Sequence, residues 1–406
     1  MNKRVVITGI GIYSCLGKNI DEVQQSLYDG KSGIVFDPAR KEAGFRSALT
    51  ASIGVPELKK ELSRSQRITM PEQAKYAYVA TKEALLNARL EQDYIDSRQT
   101  GIFYSNDSSA AAVVSSTDVM REKRDTTLIG SGAIFQSMNS TVTMNLAGIF
   151  HFKGINMTVS AACAGGSHAI GMGAMLIRNG LQDIVVCGGA QEINAYATGS
   201  FDGISAFSVR EDFPTKASRP FDRDRDGLVP GGGAATVILE SYDTAVKRGA
   251  PILAEVLGYG FSSNGEHIST PSAEGQIRSL EMAVNQAGIS LKDIGYINAH
   301  ATSTPVGDSI EALAIDSVFG SYKPEVTSTK SQTGHEMWMA GASEIVYSML
   351  MMKNDFIAAN LNFENPDEAS AALNIPAQRV AKHFDIFLSN SFGFGGTNST
   401  LIIGNL

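Results

Sequence analysis

TVSAACAGGSHAIGMGAMLI, Thr158 to Ile177, reads as a strand ending at Val159, a tight turn of small residues and a helix. Cys163 sits at the turn, where the helix begins. Unpaired N–H groups and the positive end of a helix favour a thiolate there. The helix is rich in Ala and Gly, including Gly165, Gly166, Ala169, Gly171, Gly173 and Ala174. Glycine lowers helix propensity, but it lets other backbone approach closely, as a helix buried on all sides requires. On this stretch alone, a structural cysteine and a nucleophile stand level.

Outward from it, strand-like and helical runs alternate, the pattern of a layered α/β protein. Val5–Ile12, Gly101–Asp107, Asp183–Ala190 and Ala235–Leu239 read as strands, the second running into a turn. Asp21 can cap a short helix through Leu27, and a longer one is expected over about Pro71 to Leu90. Ile252–Gly265 is a strand and loop, Glu274–Gly288 an amphipathic helix with a glycine stop, and another helix starts near Ser309. Lys216–Glu240, KASRPFDRDRDGLVPGGGAATVILE, is read as an ion-paired loop feeding a strand. It lacks the strand–glycine–helix context and Gly-Lys-Ser/Thr ending of a phosphate loop.

Three elements recur in order. EVTSTKSQTGHEMWMAGASEIVYSML repeats the plan of the Cys163 stretch, FDIFLSNSFGFGGTN that of DIVVCGGAQE, and GYINAHATS that of GIFYSND. Two similar halves, 1–250 and 251–406, packed as one body, are expected.

The 406 residues carry a formal charge of −8 and a pI near 5.4, which argues against nucleic-acid binding. Cys15, Cys163 and Cys187 are the only cysteines. They have no zinc spacing and suit a reducing cytoplasm. The N-terminal apolar run, broken by Gly9 and Gly11, reads as a strand and not a signal peptide. No run approaches the ~18 apolar residues of a membrane span.

Of six histidines, His151, His168, His267 and His383 read as surface, core or loop residues. His300 and His335 each follow a strand amid small polar residues. In a duplicated body, strand ends from both halves could bring them to Cys163 in one cleft. A thiol beside two imidazoles suits acyl transfer: one group carries the acyl chain, two donors stabilise an oxyanion or enolate.

With VSAACAGGSHA, RPFDRDRDG, AHATSTPVGD, STKSQTGH and SNSFGFGGTN quoted together, the chain resembles, end to end, the β-ketoacyl-acyl carrier protein synthases of the I/II type, within the thiolase superfamily. The Ser-Thr-Pro-Val-Gly-Asp run after His300 and the glycines 231–233 look closer to type I. The resemblance implies two βαβαβαββ halves in a five-layered αβαβα body, and a 3-oxoacyl-ACP synthase that elongates a fatty acyl chain by two carbons. Cys163 would hold the acyl group, with the N–H groups of Cys163 and Phe394 as oxyanion hole. His300 and His335 would bind the malonyl thioester during decarboxylation, and Lys330 would order the site. Thr302 and Thr304 would hold the phosphopantetheine arm; Phe392, Gly393, Gly395 and Gly396 would gate the acyl pocket. The partner would be acyl carrier protein (ACP), in a homodimer without metal or redox cofactor, nucleic acid or membrane. An acidic carrier needs local positive charge, for which Lys59, Lys60, Arg64, Arg67, Lys123 and Arg124 are candidates.

Three positions depart from the family pattern. Ala301 stands for the usual Gly, Met337-Trp338-Met339 for Leu-Gly-Ala, and Asn106–Ala110 for a glycine-rich loop lining the acyl pocket. They bear on chain length and acyl type, not on reaction class. They keep in view a related ketosynthase for a polyene or polyketide-like chain. A thiolase would need a second cysteine near the C-terminus, a type III synthase an Asn in place of His335. A non-catalytic chain-length subunit would lack the nucleophile.

Overall fold

A computed structural model describes residues 3–406. Ten strands build the main sheet: β1 (Val5–Ser14), β2 (Gly101–Ser105), β3 (Asn156–Val159), β4 (Ile184–Gln191), β5 (Gly233–Ser241), β6 (Ala254–Ser263), β7 (Tyr296–Asn298), β8 (Glu325–Thr327), β9 (Ile386–Gly393) and β10 (Thr397–Gly404). Seven helices matter to the site: α1 (Glu72–Asn87), α2 (Ala110–Lys123), α3 (Gly165–Arg178), α4 (Ala195–Gly203), α5 (Ala273–Ala287), α6 (Pro305–Phe319) and α7 (Ala340–Lys353).

The strand order is β8-β7-β9-β10-β6-β1-β5-β4-β2-β3. Its halves repeat: β3-β2-β4-β5-β1 corresponds to β8-β7-β9-β10-β6. In each, the two outer pairings are parallel and the two inner ones antiparallel. Within the main sheet the halves join where β1 meets β6, at Val6 opposite Glu255 and Ile7 opposite Ala254. The three sequence parallels fall on matching elements: β3–α3 with β8–α7, β4 with β9, and β2 with β7.

The reason for small residues in α3 is its neighbour. At Gly166 a Cβ would come within 2.7 Å of the Ala342 nitrogen, and at Gly341 within 2.4 Å of the Ser167 nitrogen. The two helices cross backbone to backbone, in the middle of the body. Helix α7 is buried along its length up to the exposed Lys353. The 3-10 turns that open them, Ala162–Ala164 and Met337–Met339, lie against each other.

Two expected helix starts are corrected. The first helix, Ile20–Asp29, is capped by Asn19, whose extended backbone lets its side chain accept from the Glu22 N–H. Asp21 lies in the first turn, where its charge still opposes the helix dipole. Helix α6 begins at Pro305, not Ser309, because proline fits the first helical position. His168 is held in the core between the Tyr259 hydroxyl (2.6 Å) and Thr397 Oγ1 (2.8 Å). His151 and His383 lie at the surface beside Asp96 and Asp355.

Candidate active site

Cys163 lies in a turn of 3-10 helix, Ala162–Ala164, between β3 and α3. Its Sγ is 3.0 Å from His335 Nε2. His335 sits in the matching turn between β8 and α7. Its N–H donates to Val229 O at 2.7 Å, and its carbonyl accepts from Gly231 N at 2.8 Å. The glycine run before β5 is therefore the seat of His335. His300 follows β7, its ring centroid 5.3 Å from that of His335 at an interplanar angle of 89°. Cys163, His300 and His335 meet at the inner end of a channel of about 630 Å³.

The thiol does not ionise readily, which corrects the expectation from the helix end alone. Burial pushes Cys163 up to about 12, against the opposing charge of Lys330 and the N–H groups of Phe394 and Cys163 that point at the sulfur. Desolvation is the largest of these effects. Both imidazoles are held well below the usual histidine range, by burial first and then by Lys330. The resting site thus holds a neutral thiol and two neutral rings.

Lys330, 1% exposed, forms a buried ion pair with Glu344 of α7. The His300 turn is held by two carboxylates of α6. Glu311 accepts from the His300 N–H (2.9 Å) and the Ala301 N–H (2.7 Å). Asp308 accepts from the N–H groups of Thr302, Ser303, Thr304 and Phe221. The Arg/Asp loop is ion-paired as expected, Arg219 with Asp222 (2.9 Å) and Arg225 with Asp367 (2.7 Å). It also clamps this turn, through Arg225 Nε on Thr304 O at 3.0 Å.

Thr302 and Thr304 line the channel with their hydroxyls 3.1 Å apart. Phe392 stands 5.9 Å from His300, centroid to centroid. Gly393 is beside the Cys163 nitrogen, and Phe394, 46% exposed, stacks on Phe201 of α4 at 5.8 Å. Gly395 (φ 81°) and Gly396 (φ 74°) take the left-handed backbone that lets this turn reverse. Trp338 is half-buried, tilted against Phe201 at 6.4 Å, with its indole N–H 3.4 Å from Ser108 Oγ. Gly189 makes room for the backbone at this position: a Cβ there would lie 2.6 Å from the Trp338 carbonyl oxygen. Of the basic docking candidates, Lys59, Lys60, Arg64, Lys123 and Arg124 are exposed. Arg67 is half-buried, its Nε on Leu62 O.

Sequence reading missed Glu344, Glu311, Asp308 and Asp107. Glu344 carried a signal, a lone carboxylate inside an apolar helix run. Asp308 and Glu311, spaced i and i+3 just after the His300 loop, carried another. Among the described residues no cluster of His, Cys, Asp and Glu could hold a metal ion, and no helix is long and apolar enough to cross a membrane.

A duplicated α/β body with a cysteine at one central helix and imidazoles from the other half defines a thiolase-like acyl-transfer enzyme. The chain belongs to the β-ketoacyl synthase family: residues 2–245 match the family's N-terminal domain and 253–364 its C-terminal domain. It is 41% identical over 403 residues to 3-oxoacyl-[acyl-carrier-protein] synthase 1 of Haemophilus influenzae, covering 98% of each chain. A β-ketoacyl synthase from Burkholderia phymatum superposes with a TM-score of 0.95 at 34% identity, covering 100% of both chains. A ketosynthase solved in complex with its type II PKS acyl-carrier protein does so at 0.90 and 29%, again covering 100% of both.

Proposed function

We propose that this protein is a 3-oxoacyl-ACP synthase that joins malonyl-ACP to an acyl group carried on Cys163. The observation that carries this reading is the meeting of Cys163, His300 and His335 at the inner end of one channel. Cys163 Sγ attacks the acyl-ACP thioester, and the thiol proton ends on the departing phosphopantetheine sulfur. The N–H groups of Cys163 and Phe394 receive the developing oxyanion. Malonyl-ACP then enters past Thr302 and Thr304, and Phe392 to Gly396 form the turn that gives way to the acyl chain. The bond to its carboxylate breaks, CO2 leaves, and the electron pair becomes an enolate. His300 and His335 donate to the enolate oxygen. Being neutral, they stabilise it without giving up a proton as readily as an imidazolium would. The enolate carbon attacks the Cys163 acyl carbon, and the sulfur leaves as a thiolate that takes a proton from solvent. Because the electron pair comes from the breaking C–C bond, this chemistry calls for no metal or redox cofactor.

Lys330, paired with Glu344, sets the field at the rings. The exposed cations Lys59, Lys60, Arg64, Lys123 and Arg124, and the half-buried Arg67, suit an acidic carrier. The protein acts as a homodimer in the cytoplasm. The open edge of β3, with Met157 48% exposed, suits a self-complementary interface. Chains dedicated to polyenes or polyketides are the weaker reading, since the relative at 41% identity is named 3-oxoacyl-[acyl-carrier-protein] synthase 1.

The test is condensation by purified protein with malonyl-ACP and a panel of saturated, cis-unsaturated and conjugated polyenoic acyl-ACPs, read by mass. Product from ordinary acyl chains, lost with Cys163→Ala, is expected. Product confined to conjugated chains would overturn the fatty-acid assignment.

A further inference from the structure

The loop Asn106–Ala110 follows β2 and faces the Cys163 turn. Asp107 Oδ2 accepts from the Ala162 N–H at 2.8 Å, and Asp107 Oδ1 accepts from the Ser160 hydroxyl. Ala162 immediately precedes the nucleophile and holds φ at +45°, a conformation that costs a non-glycine residue. The turns carrying both histidines have the same feature, at Ser303 (φ 70°) and Met337 (φ 47°). At the first of these, Asp308 takes the Ser303 N–H. Asp107 stands to the Cys163 turn as Asp308 stands to the His300 turn.

The loop has a second grip. Ser108 Oγ accepts from the Trp338 indole and donates to buried Glu192 at 2.8 Å; Glu192 also accepts from the Ala110 N–H at 2.6 Å. Trp338 is three residues past His335. One loop therefore holds the turn before the nucleophile and the turn after its histidine. The two family departures, at 106–110 and at 338, are halves of one contact.

We infer that Asp107 is a positioning residue for acyl transfer: with Ser108 it braces the Cys163 turn against the His335 turn, and its carboxylate is one of the charges that the nucleophile faces. This rests on the reading of Cys163 as the acylated residue. The charged and titratable groups around the sulfur are His335, His300, Lys330 and Asp107. Asp107 raises the thiol and Lys330 lowers it.

The experiment compares wild type, Asp107→Asn and Asp107→Ala in two assays. The first is single-turnover acylation of Cys163 by acyl-ACP, read by intact mass. The second is the pH profile of Cys163 alkylation by iodoacetamide, which needs no carrier protein. Asn keeps an acceptor for the Ala162 N–H, so acylation stays within about threefold of wild type. Its alkylation profile moves to lower pH, because the charge opposing the thiolate is gone. Ala removes the brace and slows acylation about tenfold or more. An unmoved Asn profile, or Ala acylation within about twofold of wild type, overturns the inference. Should Ala fail to fold, the Asn profile decides alone. Wild type that alkylates normally but is not acylated by any acyl-ACP counts against the function, and the alkylation profile still judges Asp107.

Discussion

His335 Nε2, 3.0 Å from Cys163 Sγ, is the contact on which the proposed chemistry turns. Removal of one preorganised donor from such a site costs about 10²–10³ in rate. His335→Ala should lose that much malonyl-ACP decarboxylation while still accepting an acyl group on Cys163; retention of decarboxylation would leave His300 as the sole donor. A second residue-scale test concerns Glu336, buried beside His335 and accepting from Ser343 Oγ (2.5 Å) and Tyr347 OH (2.9 Å). Burial pushes it up to about 8, against about 4.3 in an unfolded chain. Below 4.3 both states hold the proton. As pH rises towards 8 the unfolded state ionises first, so the native state loses stability. Glu336→Gln removes this loss. Thermal melts at pH 5, 7 and 9 should show the variant gaining on wild type as pH rises; a constant difference would contradict the buried protonated carboxyl.

At the scale of elements, the α3–α7 crossing places both catalytic turns. Gly341→Ala would push a methyl into the Ser167 backbone at 2.4 Å, where nothing flexible can yield. Overpacking of this kind costs about 1–3 kcal/mol, so the melting temperature should fall by several degrees and activity should fall with it. An unchanged melting temperature would mean the helices have slack. The need for that crossing was legible in the run of Gly and Ala at 164–174, as was the repeat at 340–343. The state of the thiol was not. A helix start is visible in sequence, but the burial that outweighs it depends on what the other half packs over it. Asn19 as the cap, in place of Asp21, was hidden for a smaller reason: both side chains can cap, and only backbone φ separates them. Asp107 escaped notice because its partner, the Ala162 N–H, is a backbone group.

For the whole molecule, the duplication was readable from three weak parallels in order, and the strand order of the two halves repeats them. The site lies between halves, so no single stretch could show it; the spacing of Cys163, His300 and His335 has meaning only after the body closes. The open β3 edge belongs to this scale too. Sedimentation should give a particle of twice the 43.2 kDa chain mass, and Met157→Lys, which puts a charge on that edge, should shift it towards monomer. A wild-type monomer at micromolar concentration would refute the proposed assembly.

The measurement that tests the central claim most directly is peptide mapping after incubation with acyl-ACP alone. The acyl mass is expected on the peptide bearing Cys163, with Cys15 and Cys187 unmodified, and absent from Cys163→Ala. Acyl mass on another cysteine, or on none, would contradict the assignment of Cys163 as the nucleophile.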